Sequence, residues 1–391
     1  MAPLRASLSS LVLGFLSLAP VNAVPAVDYD AIIVGGGPAG LSALSGLSRV
    51  RNTALLFDSG VYRNGLTRHM HDVIGNDGTV PSEFRGLARE QIAKYDTAEI
   101  RNATVTSIEQ KNQDVEGEAY FEATDDAGEL YTARKVVIAT GMKDILPSTP
   151  GIDGAWSRGI YWCPWCDGYE HRDQPFGILG AMNDILDSVI EIETVNDDII
   201  AFVNGTHTPE EVAQLDEQDP TWSQQLEAYN VQIENRTIAS IERLQDGSVH
   251  NNPAEHLEFD LFKVHFTEGP SVDRGAFISN FPSEQYSTLP AEMGLKMDDV
   301  KIEVNPSSMR TNIPGVWAVG DCNNDGSTNV PHAMFTGKKA AVYVHVEIAR
   351  EDAKDLISER DLALTVREME DEATKAIGND FEELWGRAQH N

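Results

Sequence analysis

Residues 31–40, Ala31-Ile32-Ile33-Val34-Gly35-Gly36-Gly37-Pro38-Ala39-Gly40, decide the fold. A short apolar run breaks into glycines and resumes as Leu41-Ser42-Ala43-Leu44 with helical spacing, which reads as strand, glycine turn and helix. Gly35, Gly37 and Gly40 stand in the G-x-G-x-x-G spacing, with Pro38 and Ala39 between them. Such a turn lets a backbone approach a pyrophosphate and places the phosphate charge on a helix N-terminus. A single match to so short a pattern is weak. It gains weight from the next apolar run, Ala54-Leu55-Leu56-Phe57, which ends at Asp58, about 20 residues beyond the glycines, where a carboxylate accepts from a ribose hydroxyl.

Two further strands end in the same punctuation. Lys135-Val136-Val137-Ile138-Ala139 runs into Thr140-Gly141, and Gly315-Val316-Trp317-Ala318-Val319 runs into Gly320-Asp321. Together with the first they predict an α/β nucleotide-binding domain interrupted by an insertion: residues 28–150 and 281–345 form the interrupted domain, and 151–280 the inserted one. A helix is expected from Pro331 to His345, followed by a charged, helix-favouring extension over 346–391.

The insertion carries Cys163-Pro164-Trp165-Cys166, followed at once by Asp167-Gly168. Two thiols separated by two residues close a small, readily exchanged disulfide. Zinc needs about four ligands, and no second C-x-x-C or paired His follows at a suitable spacing, so no metal site is expected. A helix N-terminus at the pair would favour the thiolate that has to leave. Asp167 suits either an acid–base role or a helix cap. His332, just after Pro331, is a candidate for moving protons, with a surface or core-satisfied histidine as the alternative, and His69 and His71 are open to the same alternative.

The chain has 391 residues, enough for two domains with substantial cores, and its 41% hydrophobic content is that of a globular protein. Arg5, the apolar run Leu11-Val12-Leu13-Gly14-Phe15-Leu16 and the small-residue exit Val21-Asn22-Ala23 have the order and length of a secretory signal peptide cleaved after Ala23. Ser and Pro interrupt this stretch before it reaches the length of a membrane span. The sequons at Asn102, Asn204 and Asn235 fit a glycosylated, secreted protein. Arg5 is the only charged residue of the first 23, so a formal net charge of −32 becomes −33 after cleavage. That excess repels nucleic acid and anionic membrane surfaces. Three cysteines allow one bridge and leave one thiol over, Cys322 by position.

These motifs together resemble the low-molecular-weight thioredoxin reductase family of flavoproteins, and more closely its fungal thiol-oxidising branch. The resemblance covers roughly residues 28–345 and rests on the glycine turn, Tyr62-Arg63-Asn64, Ala139-Thr140-Gly141, the Cys163–Gly168 stretch and Gly320-Asp321. It implies two Rossmann-like domains, with FAD lying across the glycine turn and Asp58, and Asp321 holding its ribityl chain. Arg63, Asn64, Thr140, Gly141 and Gly320 belong to the same cofactor site. It further implies a homodimer in which Cys166 faces the flavin and Cys163 meets the substrate.

One departure sets the direction of electron flow. NADPH-using members carry a second glycine turn in the inserted domain and, one strand later, a cluster of arginines for the NADPH phosphate. Here the turn reads Gly177-Ile178-Leu179-Gly180-Ala181-Met182, without its second glycine, and the strand Ile199-Ile200-Ala201-Phe202-Val203 runs into Asn204-Gly205-Thr206-His207. Arg236 is the only Lys or Arg from Gly177 to Ser240, against thirteen Asp and Glu. Charge-assisted contacts contribute about 1.5–3 kcal/mol each, so losing two or three arginines weakens binding by several powers of ten. Electrons are then expected to enter from small thiols such as glutathione and to leave to O2, giving hydrogen peroxide. The alternatives are an oxidase that forms the disulfide of a fungal dithiol metabolite, an NADPH-dependent disulfide reductase, and a non-catalytic redox-sensing flavoprotein.

Overall fold

A computed structural model of the chain describes residues 27–113 and 119–356. The expected signal peptide and the extension beyond residue 356 lie outside the described residues. The chain opens with β1 (Tyr29–Val34), α1 (Pro38–Ser48), β2 (Ala54–Phe57), α2 (Pro81–Ile92) and β3 (Ala98–Arg101). An antiparallel set follows, β4 (Val105–Lys111), β5 (Tyr120–Asp125) and β6 (Leu130–Ile138). Ala31 to Val34 and all of β2 are buried, as expected of parallel strands covered on both faces.

The chain leaves this domain through β7 (Met142–Asp144). The inserted domain contains β8 (Ile160–Tyr161), α3 (Pro164–Asp167), β9 (Phe176–Leu179), α4 (Ile185–Ile192), β10 (Ile199–Phe202) and β11 (Gln232–Glu234). It continues with β12 (Ile238–Gln245), β13 (Leu261–Phe266), β14 (Val272–Arg274) and β15 (Ala276–Ser279). β16 (Ser283–Gln285) brings the chain back, antiparallel to β7, so two paired strands make the crossing between domains. The first domain closes with β17 (Val316–Ala318) and α5 (Val330–Leu356).

Its seven-stranded sheet runs β3-β2-β1-β6-β5-β4, with β17 also on β6. The inserted domain has a parallel five-stranded sheet, β11-β10-β9-β15-β8, and a small antiparallel sheet, β12-β13-β14. Both domains are therefore α/β: the inserted sheet is parallel, and the larger sheet is parallel through β3-β2-β1-β6 and antiparallel through β6-β5-β4. Apolar cores lie on both faces of the larger sheet, one of them shared by α1 and α5. Helix α5 does not stop at His345 but continues to Leu356. Its acidic last turns are neutralised by the larger sheet: Arg134 Nη1 meets Asp352 at 2.6 Å and the buried Lys135 Nζ meets Glu347 at 2.9 Å.

The loop between β2 and α2 reaches across to the inserted domain. There the buried Arg68 guanidinium grips Asp260 with both nitrogens, at 2.7 and 3.0 Å, reaches Asp246 at 2.8 Å, and pairs with Glu258. Asp260 also accepts from Arg243 Nη1 at 2.7 Å and from the Gly247 amide at 3.0 Å. Burial pushes the Asp260 carboxyl up, but hydrogen bonds from His171 and Arg68 outweigh it and bring it down to about 2. A depressed carboxylate contributes stability that is complete above its ordinary value of 3.8 and is lost as pH falls toward 2. Asp260→Asn removes the anion that Arg68 and Arg243 share, and we expect it to cost about 3 kcal/mol at pH 7, with the deficit shrinking below pH 4. Denaturant unfolding across that range checks this; a deficit independent of pH would contradict it.

Candidate active site at the domain junction

The glycine turn builds one end of the site. Gly35 has φ of +123°, and a Cβ there would lie 2.2 Å from the Ala139 carbonyl oxygen, so β6 closes directly on the turn. A Cβ on Gly40 would lie 1.9 Å from the Gly35 carbonyl oxygen, and this contact seats α1 against the turn. Gly37 caps α1 and faces open space, and no side chain caps the helix, so its first amides are free for a ligand. These residues form part of the wall of a cavity of about 530 Å3, with Thr140 and Gly141 after β6 and Gly320 and Asp321 after β17. The Thr140 hydroxyl is buried there without a protein partner. Open helix amides, an unpartnered hydroxyl and an elongated glycine-floored cleft fit a dinucleotide such as FAD.

Arg63 and Asn64 also line this cavity. The Arg63 guanidinium joins Asp144 on β7, at 2.5 and 3.1 Å, to Asp321 at 3.0 Å and Thr328 at 3.1 Å. It also lies 5.0 Å from the centre of the Trp162 ring. Asp58 is placed differently. Both its oxygens accept from the Tyr62 hydroxyl, at 2.9 and 2.7 Å, and one accepts from Arg89 at 2.7 Å. It is buried against Gly36, whose missing Cβ makes the room, and it lies outside the cavity wall. The free acceptor expected for a ribose is thus held by Tyr62 and Arg89, because α2 brings Arg89 over the end of β2.

At the other end of the cavity stands the Cys163–Cys166 disulfide. Cys163 is the extended N-cap of the short α3, and Pro164 starts the helix. Cys166 is in the cavity wall and Cys163 is not; Trp165 between them is 66% exposed, beside neither the core nor the cavity. Asp167 shares the wall with Cys166. Burial, reinforced by Glu170 and Glu258, raises its carboxyl well above the usual range. His332 does not reach the wall: Val330 and Ala333, three residues apart on α5, face the cavity, and the His332 ring turns to Asp325 at 2.9 Å. The cavity instead takes His69 and His71, from a loop without periodicity. Cys322 is buried beneath the sheet, and burial pushes its thiol up to about 12, which makes it inert.

The corresponding turn in the inserted domain is filled by its own side chains. The Met182 amide donates to the Thr206 hydroxyl at 2.9 Å, and Asn280 Nδ2 donates to the Asp184 carbonyl and to the Ser188 hydroxyl at 3.2 and 2.7 Å. Arg236 is held by Glu234 at 2.6 Å and by the Pro270 carbonyl at 2.9 Å, and its guanidinium lies on the Phe266 ring.

A cofactor cleft of this shape with a redox-active dithiol at its mouth defines a flavin-dependent disulfide oxidoreductase. Residues 29–183 match the pyridine nucleotide-disulphide oxidoreductase family. A probable thioredoxin reductase of Arthroderma benhamiae is 53% identical over 93% of this chain and 92% of its own length. Thioredoxin reductase tcpT of Claviceps purpurea is 31% identical over 80% and 91%. Among solved structures, that of HlmI is similar with a TM-score of 0.73 and 26% identity, over 85% of this chain and 96% of that one. The chain belongs to the thioredoxin reductase-like family of FAD-dependent disulfide oxidoreductases. Gly40→Ala drives a methyl into the Gly35 carbonyl, and we expect the variant to be isolated colourless, with less than a tenth of the wild-type FAD per chain by absorbance; full flavin content would refute the cradle described above.

Proposed function

We propose that this protein is a secreted thiol oxidase that passes electrons from small thiols such as glutathione to O2 and forms hydrogen peroxide. The observation that carries the reading is the turn of the inserted domain: its Met182 amide is taken by the Thr206 hydroxyl, and Arg236, the only Lys or Arg from 177 to 240, is bound to Glu234. An NADPH phosphate would meet no free cation there. Bound FAD supplies two-electron exchange with the dithiol and with oxygen. The chain's own residues do the thiol chemistry. A substrate thiolate attacks Cys163 Sγ, the Cys163–Cys166 bond breaks, and the electron pair remains on Cys166, whose position in the cavity wall directs it to the cofactor. A second thiol then resolves the mixed disulfide on Cys163. Asp167 stands beside the departing thiolate, its carboxyl raised well above the usual range by burial.

Support for secretion lies in the signal-like order of residues 1–23. Of the three sequons, Asn235 commits its Nδ2, the atom that carries a glycan, to the His207 carbonyl at 3.3 Å. Asn102 and Asn204 use only their carbonyl oxygens, accepting from Arg89 at 2.6 Å and from the Ile238 amide at 2.8 Å. We expect the enzyme from culture medium to begin at Val24 and to carry glycans at Asn102 or Asn204 rather than Asn235. Its native mass should be that of a homodimer. Peptide mapping and light scattering measure these points, and an unprocessed, unmodified monomer would remove this part of the reading. No helix among the described residues is long and apolar enough to cross a membrane.

The curated relatives' name, thioredoxin reductase, favours an NADPH-driven reductase as the second reading. The purified yellow protein should take up oxygen with glutathione and release an equal amount of peroxide with no nicotinamide present. Cys163→Ser should lower that rate by at least a thousandfold. Rapid flavin bleaching by NADPH under nitrogen, with no oxygen uptake from thiols, would overturn the oxidase in favour of the reductase.

A further inference from the structure

Against Asp167, the residue that follows Cys166, lies a second recess, of about 10 Å3, which is room for about one water. It shares His69, His71 and Asp167 with the wall of the main cavity. Every residue around it is titratable. Arg68, His69 and His71 come from the β2–α2 loop, Asp167, Glu170 and His171 from α3 and the turn after it, and Tyr161 and Glu258 from β8 and the approach to β13. Asp260 and Arg243 stand behind His171 and Arg68. A core recess lined only by such groups, at the edge of a dithiol, is arranged to move protons rather than to hold a hydrophobic ligand.

One of them spans the distance from solvent to the interior. The His71 ring is mostly buried; its Nδ1 lies 3.5 Å from Asp77, which is 61% exposed, and its Nε2 lies 3.5 Å from Glu170, which is buried. His71 is the only ion-pair partner of Glu170 among the described residues. His69 has no equivalent role, because the carboxylate it faces, Glu258, is already held by Arg68. We propose that His71 is the proton carrier of the thiol–disulfide exchange at Cys163–Cys166, linking Asp167 and Glu170 to Asp77 and bulk water.

The exchange requires such a path. A thiol RSH and the Cys163–Cys166 disulfide give RS–Cys163, the Cys166 thiolate and one proton: the S–S bond breaks, a new one forms, and no electron leaves the sulfurs. With a free-thiol pKa near 8.5, that proton must be taken from the substrate at neutral pH. Asp167, next to Cys166 in the cavity wall and shared with the recess, relays that proton to Glu170. Glu170, the neighbouring carboxyl, hands the proton to His71, and the ring accepts on one nitrogen and releases from the other toward Asp77.

The test follows reduction of the bound flavin by dithiothreitol under nitrogen, in stopped flow from pH 5 to 9, with the full-length FAD-loaded enzyme. His71→Gln should slow bleaching about 100-fold at pH 7 and flatten the pH dependence between 5 and 8, and added imidazole should restore much of the rate. Glu170→Gln should slow it comparably, and the double variant should be no slower than either single one. A His71→Gln enzyme with normal FAD content that bleaches within twofold of wild type at every pH, or whose deficit imidazole does not relieve, would overturn the proposal. So would a wild-type flavin that dithiothreitol leaves oxidised. The inference rests on the disulfide oxidoreductase chemistry and not on oxygen as acceptor; because oxygen takes no part in the assay, failure of the oxidase reading leaves this result standing.

Discussion

A single buried guanidinium, that of Arg68, sets how the two domains face each other. It leaves the first domain on the loop after β2 and enters a set of carboxylates, Asp246, Glu258 and Asp260, that all belong to the inserted domain. Buried ion pairs are weak evidence for net stability, because desolvation offsets most of the attraction. Their geometry is nevertheless demanding, and any rotation of the inserted domain would strand Arg68 or its carboxylates without a partner. Arg63 imposes a similar demand at the crossing, holding Asp144 on β7 and Asp321 in the cofactor site while its guanidinium faces Trp162. With both arginines satisfied, Cys166 and the glycine turn line one cavity.

That arrangement explains what was readable in the sequence. The strand, turn and helix over 31–44 and the strand ends at Gly141 and Asp321 are local: glycine spacing and apolar runs carry them, and the structure places these residues around one cleft. The dithiol is equally local. Arg68 and His71 are not, because they sit on an irregular loop whose meaning comes only from the inserted domain packed against it. Asp58 shows the same limit from the other side. Its position at the end of β2 was legible, yet its partners Tyr62 and Arg89 arrive through tertiary packing. For His332 the phase of α5 mattered: with Val330 and Ala333 turned to the cavity, His332 points to Asp325.

The inserted domain separates fold from ligand. Its five-stranded parallel sheet keeps a fully apolar core around Ile178, Ala201 and Ile278, because burial of those side chains holds the sheet whether or not a nucleotide is present. The turn above the sheet had no such obligation. Its Met182 amide is satisfied by the Thr206 hydroxyl and its Asp184 carbonyl by Asn280 Nδ2, as buried polar groups must be. Its surroundings are acidic, with Arg236 the only Lys or Arg from 177 to 240, and the same domain holds the Cys163–Cys166 pair.

Holding that pair is electrostatic as much as geometric. A thiolate leaving Cys166 does so within a protein of large negative charge, beside Asp167, Glu170, Glu258 and Asp260. If all four carboxyls were ionised and unpaired, the leaving thiolate would be destabilised by like-charge repulsion in a low-dielectric site. The structure divides them. Arg68 and Arg243 neutralise Asp260, Arg68 also takes Glu258, and burial beside the remaining charge raises the Asp167 carboxyl well above the usual range. The cation that aligns the domains is therefore the cation that discharges the dithiol's surroundings, so the distance from sulfur to cofactor and the charge felt by the thiolate are set together.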